Sequence, residues 1–492
     1  MSLQIHDQYT EVIFARELRR RQLGKLLCAP AAWGKLPTMS SEVVVRPRIP
    51  KTWTTARNWL SAKWQRSYAA NESTFSLLLR GPIFHLLIVV TGFGIIFSRR
   101  PDAILNAQFW AEDGQRWYAD AYQFGLRCLL IPDELGGYFH SVSRLSALTA
   151  LVFPFSMAPL VMNLFAIAIQ ILPASVFVSS RFSNIALWKR LAAAFVYFAL
   201  PNTYEVNANT TTIQWHLGLL ACMVLLARST RSWKWHVFDG VVLVLISLDS
   251  PVGVVLLPIA AVVCWMRRTR GSAISLGLLL PGAMIQGLTV LFSHARPVAE
   301  NGANWHRLVR ILGGQVFLSP LLGNMTLLHM TWRHFPNYVF ARESVAFVIG
   351  LAVVFYALRY APAEIKLFIL FGFAVLSLSL AHPIPGLAPQ PQWELLAFPG
   401  HGNRYYFLPS ISFLVALAWI ASSASKIPRR IAAVLLLMVP LGIVRDWRYP
   451  DFADLHFQDY ASKFEAAPPG TKMDIPLNPI NAAHWTMELT KH

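Results

Sequence analysis

Residues 158–179 read APLVMNLFAIAIQILPASVFVS, with no charged side chain among them. A run of that length and polarity suits the hydrocarbon core of a bilayer, which takes about 20 apolar helical residues to cross. Comparable runs occur at 82–98, 190–203, 208–227, 237–248, 251–266, 273–292, 344–358, 364–381, 404–422 and 428–444. The expected fold is therefore all-α, a polytopic transmembrane helical bundle of about eleven spans. Several runs are short, which is tolerable where their ends are buried in protein or the bilayer is locally thinned. With 55% hydrophobic and 14% charged residues in 492, the composition excludes a stack of soluble domains.

Three regions follow. Residues 1–80 form a basic tail with Arg19-Arg20-Arg21 and no sustained apolar period, expected on the cytoplasmic side. The first apolar run begins near Pro82 and has no cleavage pattern, so it serves as its own insertion signal; Met39 is an alternative start. Residues 81–445 form the membrane domain, and 446–492 an outer-face tail too short for an independent enzyme. Cys28, Cys128, Cys222 and Cys264 are scattered without metal-ligand spacing and read as packing residues.

The formal net charge of +18 would suggest nucleic acid in a soluble protein. Here many of the basic residues flank apolar runs, so no nucleic-acid partner is expected, and the charge reads as positive-inside topology with contact to anionic membrane lipids. The clusters Arg181/Lys189/Arg190, Arg228/Arg231/Lys234, Arg267/Arg268/Arg270, Arg359/Lys366 and Lys426/Arg429/Arg430 fall on alternate loops. Counting 141–156 as a span would put every later cluster outside. Ser141–Phe155 is therefore expected to be an amphipathic helix at the outer surface. The outer loops are then 99–157, 201–210, the turn at Asp249, 293–342, 382–403 and the tail, with the N-terminus cytoplasmic and the C-terminus outside.

The first outer loop carries Phe109-Trp110-Ala111-Glu112-Asp113-Gly114-Gln115-Arg116-Trp117-Tyr118-Ala119-Asp120. Asp113 precedes a helix-compatible run, Gly114–Phe124, so it suits an N-cap. It equally suits a general base that takes a proton from an acceptor hydroxyl, and the two roles are compatible. Adjacent carboxylates point different ways, so Glu112 and Asp113 do not make a facing acid/base pair; one is the base and the other a helper. Together with substrate phosphates they can hold a divalent cation, although no metal-ligand spacing is present.

The other outer loops supply candidate substrate contacts. Tyr138, His140 and Arg144 suit donor phosphate or acceptor hydroxyls, or interfacial anchoring. Glu205, Asn207, Asn209, Gln214, Trp215 and His216 lie at span ends, where polar groups face protein or a wet cavity; Asn207 and Asn209 also suit helix caps. Asp249, before Ser250-Pro251, caps the next helix or binds a sugar. Cationic partners for phosphate are Arg296, His306, Arg307, Arg310, Arg333, His334, His401 and Arg404. Arg404 leads, at headgroup level beside Tyr405 and Tyr406, with snorkelling to lipid phosphate as its competing role. Trp393 and Glu394 suit sugar contact, and Trp393 also an interface anchor.

A first span leading to an outer loop with an acidic motif, surface helices, then many spans with short inner loops resembles the GT-C superfamily of integral-membrane glycosyltransferases, over about 80–445. The resemblance implies a polyprenyl-phosphate-linked sugar donor, a periplasmic glycan or lipid acceptor, the bacterial inner membrane, and inverting transfer with Asp113 as base and Glu112 second. The chain lacks the Lys-Pro-Pro segment of the aminoarabinose transferases and the Trp-Trp-Asp motif of the oligosaccharyltransferases, so neither branch lends its substrate. Gly136 to Arg144 resembles the Gly-Tyr loop of uncharacterised bacterial relatives. Two alternatives stand: an O-antigen ligase or polymerase, which relies on outer-loop Arg and His, and a glycolipid transporter or flippase, which usually carries mid-span polar residues and repeats.

Overall fold

The computed structural model describes residues 82–492 except 135, 231, 294–299, 332–337, 385–389, 424 and 481–484. The basic tail, the alternative start at Met39, and the candidates Arg296, Arg333 and His334 lie outside the described residues. Each apolar run forms helix because its residues have no water to satisfy their backbone groups and must bond within the segment. The longer helices are α1 (Pro82–Arg99), α2 (Ser141–Ala150), α3 (Ala158–Val178), α4 (Leu187–Ala199), α5 (Ile213–Leu226), α6 (Trp233–Asp249), α7 (Val252–Arg267), α8 (Arg270–Phe292), α9 (Val339–Tyr360), α10 (Ala363–Ala381), α11 (Asn403–Ser423), α12 (Lys426–Leu436, continued by Val439–Arg445) and α13 (Phe457–Ala466).

Among the described residues, six stretches are long and apolar enough to cross a membrane: Phe155–Val178, Arg270–Phe292, Val339–Tyr360, Ala363–Ala381, Asn403–Ser423 and Lys426–Arg445. Ile83–Arg99, Ile213–Leu226 and Val252–Arg267 are apolar but shorter. The apolar runs are thus all helices, while crossing length is met by fewer than the expected eleven. At 10 residues α2 spans about 15 Å, too short to cross. It packs on α3 and α6, burying Val142, Arg144, Ala147 and Ala150 and leaving Leu145 exposed.

The contacts between loops sort the polar residues into two ends. At one end Arg181 donates to the Arg228 carbonyl (2.9 Å) and pairs with Asp239 (2.8 Å), Arg267 donates to the Leu226 carbonyl (2.8 Å), and Lys189 meets Ser422 (3.2 Å). At the other end the first loop, 201–212, the turn after α6, 300–303, 391–404 and the tail bond to one another. Arg99, fully buried, donates to the carbonyls of Phe198 (2.7 Å), Leu200 (2.9 Å), Asp446 and Trp447 (both 3.2 Å). Arg100 lies over the rings of Tyr204 (4.3 Å) and Phe452 (4.4 Å). The loops expected on the outside therefore share one end, and the basic clusters of 181–190, 228 and 267 the other.

Two departures have local causes. The stretch 293–342, expected as loop, holds Trp305–Arg310, a π-wound Ile311–Leu318, Ser319–Leu322 and Asn324–His329, with Gly313, Gly314 and Gln315 buried against α9 and α11. Gly313 lets helix backbones meet, since a Cβ there would lie 2.0 Å from the Glu343 carbonyl oxygen. Both of its ends sit at the loop-rich end, Arg307 on Glu394 (2.6 Å) and the amides of Asn324 and Met325 on Asp446 (2.7 and 3.0 Å). Residues 307–325 therefore begin and end at the same side.

The tail departs from all-α: Lys472–Pro476 (β1) and Thr486–Thr490 (β2) form an antiparallel pair after α13. Ile475, Leu477, Met487 and Leu489 face inward with Phe457 and Phe464, sharing one apolar core with Phe109, Trp117, Tyr118, Phe155 and Met162. The tail and the first loop thus form a single head. Cys128 and Cys222 are buried, and with Cys264 they are free thiols.

Candidate active site

Between the loop-rich ends of α5, α7, α8, α10 and α11 lies a small cavity of about 100 Å³ that opens to solvent. Its lining mixes the apolar side chains of Val252, Val255, Val290, Val375 and Leu378 with the polar groups of Tyr138, Gln214, Trp215, Ser250, Ser379, His382, Arg404 and Tyr405. Gln214 and Trp215 are nine-tenths buried, and Gln214 Oε1 and Trp215 Nε1 have no hydrogen-bond partner. Buried polar groups are normally satisfied, so these two unpaired atoms, closed off from solvent in residues that line the cavity, are exceptions to that rule.

Arg404 opens α11. Its guanidinium bonds Glu205 Oε2 (3.2 Å), which also accepts the Arg404 amide (3.2 Å), and lies over the Tyr405 ring at 4.8 Å. The Tyr405 hydroxyl accepts from the Ile384 amide at 3.1 Å. The Arg404 side chain keeps 30% exposure, enough to meet a ligand. Glu205 is thus a partner of the cation, one step from the cavity wall.

The two acids of the first loop have different surroundings. Asp113 is 1% exposed, and its Oδ1 accepts the hydroxyls of Thr210 and Thr211, both at 2.7 Å, while Oδ2 accepts the Thr210 amide at 3.3 Å. Burial pushes its pKa up to about 6 against those bonds, which favour the charged form. Asp113 does not cap a helix. The chain is already helical at Glu112, and Asp113–Tyr118 is π-wound before Ala119–Phe124. Its carboxylate instead ties the first loop to the loop before α5. Glu112 is only partly buried and is pushed up to about 7, first by burial and then by the charges of Asp113 and Asp133, with Arg404 pulling it down. Glu112 therefore lies in the field of Arg404 with its proton near balance at neutral pH.

Asp133, not singled out by the sequence, anchors the Gly136–Tyr138 turn: its Oδ2 accepts the Gly136 amide (2.5 Å), its carbonyl the Gly137 amide (2.8 Å), and its own amide donates to the Tyr138 carbonyl (2.8 Å). Gln286, inside α8 and fully buried, takes the next residue by both backbone groups: Phe139 N–H to Oε1 (3.0 Å) and Nε2 to Phe139 O (3.1 Å). Together they hold Tyr138 at the cavity.

Other expected contacts are partly engaged within the protein, while buried His140 Nδ1, Arg144 Nε and Nη1, Asn207 Nδ2 and Asp249 Oδ2 have no hydrogen-bond partner. His140 is sandwiched by Trp117 (4.4 Å) and Tyr138 (4.5 Å), and burial lowers its pKa to about 4, so it is neutral. Arg144 is 1% exposed and pairs with Asp120 at 2.7 Å, which accounts for its charge without a phosphate. Asn207 Oδ1 accepts from Gln170 (3.0 Å). His216 Nε2 lies 2.6 Å from the Val206 carbonyl and Nδ1 2.8 Å from the Tyr197 hydroxyl. Asp249 caps α2, accepting the Val142 amide at 2.7 Å, and not the helix that follows it. Trp393 donates to the Leu380 carbonyl (2.8 Å), and Glu394 pairs with Arg307. Arg310 pairs with buried Glu343 at 3.1 Å. Among the described residues no group of three or more His, Cys, Asp or Glu could hold a metal ion; Asp113, whose oxygens face Thr210 and Thr211, offers little to one.

No family model matches the chain, and no curated protein does. Among solved structures it is similar to the oligosaccharyltransferase AglB from the archaeon Archaeoglobus fulgidus, described in complex with an inhibitory peptide and a dolichol-phosphate, at 12% identity and a TM-score of 0.40. The match covers 78% of this chain and 58% of that one, so the chain spans less than two thirds of its length. So loose a likeness assigns neither family nor activity to this chain.

Proposed function

We propose that this protein is an integral-membrane glycosyltransferase of the GT-C kind. It moves a sugar from a polyprenyl-phosphate carrier to a glycan or lipid acceptor, at the outer face of the bacterial inner membrane. The observation that carries the reading is one cavity between helices lined by apolar side chains and by a partly exposed arginine, with a carboxylate whose pKa lies near 7 in that arginine's field. Apolar lining and cation together suit a prenyl chain ending in phosphate.

The surroundings of the two acids support Glu112 as the general base and Asp113 as its structural neighbour, reversing the order expected from the motif. Glu112 takes the proton of the acceptor hydroxyl as that oxygen attacks the anomeric carbon. The carbon–oxygen bond to phosphate breaks, and the phosphate leaves with its electrons beside Arg404. A single displacement of this kind inverts the anomeric centre.

The transporter alternative draws less support. The polar residues inside α3 and α8 serve loops: Gln170 bonds Asn207 and the Ala208 amide (3.0 and 3.1 Å), and Gln286 bonds Phe139. The test is transfer of labelled sugar from a panel of polyprenyl-phosphate sugars by the purified protein in nanodiscs, paired with mass spectrometry of cell-surface glycans with and without the gene. Transport of the labelled lipid across the bilayer with no new glycosidic bond would overturn the proposal.

A further inference from the structure

The acidic motif is gripped from the far end of the chain. Ala111 has φ +45°, a left-handed conformation that residues with a Cβ avoid. Its amide donates to the Asn478 carbonyl at 2.5 Å, and Trp110 and Asn478 form a parallel β-bridge. Asn478 is 2% exposed, and its Nδ2 donates to the Ala453 carbonyl (2.9 Å), the same oxygen that Gln108 Nε2 reaches at 3.0 Å. On the other side of the acids, Gly114 is tightly packed: a Cβ there would lie 2.9 Å from Leu477 Cδ2, which must swing aside, and 3.0 Å from Phe109 Cβ, which must give by a few tenths of an ångström. Glu112 thus stands between a residue bonded to Asn478 and a residue packed against Leu477.

We propose that Leu477 and Asn478 are positioning residues for Glu112, holding Ala111 and Gly114 so that the peptide between them fixes the direction of its carboxylate. The inference rests on the proposed role of Glu112 for its kinetic consequence. The clamp itself is read independently, from amide exchange.

The experiment compares Gly114→Ala, Leu477→Ala and the double variant by hydrogen–deuterium exchange and by sugar transfer. Gly114→Ala is expected to raise exchange at the Ala111 amide, lower kcat by about tenfold or more, leave KM for the lipid-linked sugar within about twofold, and move the pH midpoint away from that of the wild type. The double variant, which regains the space, is expected to recover most of the kcat and the protection. Should Gly114→Ala fail to accumulate, Leu477→Ala alone is expected to loosen Ala111 and lower kcat by about threefold. Unchanged exchange at Ala111 in Gly114→Ala and Leu477→Ala, or a Gly114→Ala defect that the second change does not relieve, overturns the clamp. A wild type that transfers no sugar while Ala111 stays protected and responds to these variants removes the glycosyl-transfer reading and leaves the clamp standing.

Discussion

The two ends of the helical layer treat their arginines differently. At the basic end Arg181 is consumed by one carboxylate and one carbonyl, Asp239 and Arg228. At the loop-rich end Arg404 has a partner in Glu205 yet keeps part of its guanidinium open to a cavity, within reach of a second carboxylate's field. A fully spent ion pair holds structure; one with remaining capacity can hold a ligand. The same contrast separates Asp113, whose oxygens are taken by Thr210 and Thr211, from Glu112 beside it.

The sharpest way to break this contrast is to neutralise each acid in turn. Glu112→Gln is expected to lower kcat about 100- to 10,000-fold with the protein still inserted and folded. Asp113→Asn is expected to lower stability by about 1–3 kcal/mol, because an amide group faces donors where an oxygen accepted them. Its activity should fall less; thermal melts and initial rates on both variants decide the order, and a dead Asp113→Asn beside an active Glu112→Gln would reverse the roles. Next in size, Arg404→Gln should raise KM for the lipid-linked sugar about 10- to 100-fold, as expected for losing a charge-assisted contact to phosphate.

The pH profile sharpens the same point. A base must be deprotonated to act, so with a pKa of about 7 for Glu112 the rate should fall about tenfold per unit below neutrality and level off above it. A profile flat down to pH 5 would separate Glu112 from the proton transfer. The smallest effect is expected at the opposite end: Arg181→Ala should leave kcat and KM unchanged while lowering the melting temperature, since it strands Asp239.

Much of the fold is legible because apolar runs in a bilayer have few alternatives to helix. The basic clusters on alternate loops even assign 141–155 to a non-crossing helix, and the shorter α2, Ser141–Ala150, lies within it. What escapes is whatever depends on distant partners. Residues 305–322 look like loop because Gly313, Gly314 and Pro320 interrupt the run, and only burial against α9 and α11 makes them helical. The strands of the tail carry Lys472, Asp474 and Glu488 among their apolar residues and are too short to announce themselves. For the site, residue type is legible and engagement is not. The chemistry of His216, Arg144 and Asp249 suits a substrate as well as it suits Tyr197, Asp120 and α2, and only folding decides between them.

The core shared by the first loop and the tail has a consequence for synthesis. Ala111 leaves the ribosome 367 residues ahead of Asn478, its hydrogen-bond partner. At 5–20 residues per second that gap lasts about 20–70 s. Throughout it Phe109, Trp117 and Tyr118 lack the surface that later covers them and must be sheltered by lipid or a chaperone. The nascent chain is therefore without its finished head until almost the last segment has been made, and a ribosome stalled after α12 would release a protein lacking α13, β1 and β2, with its acidic motif unsupported.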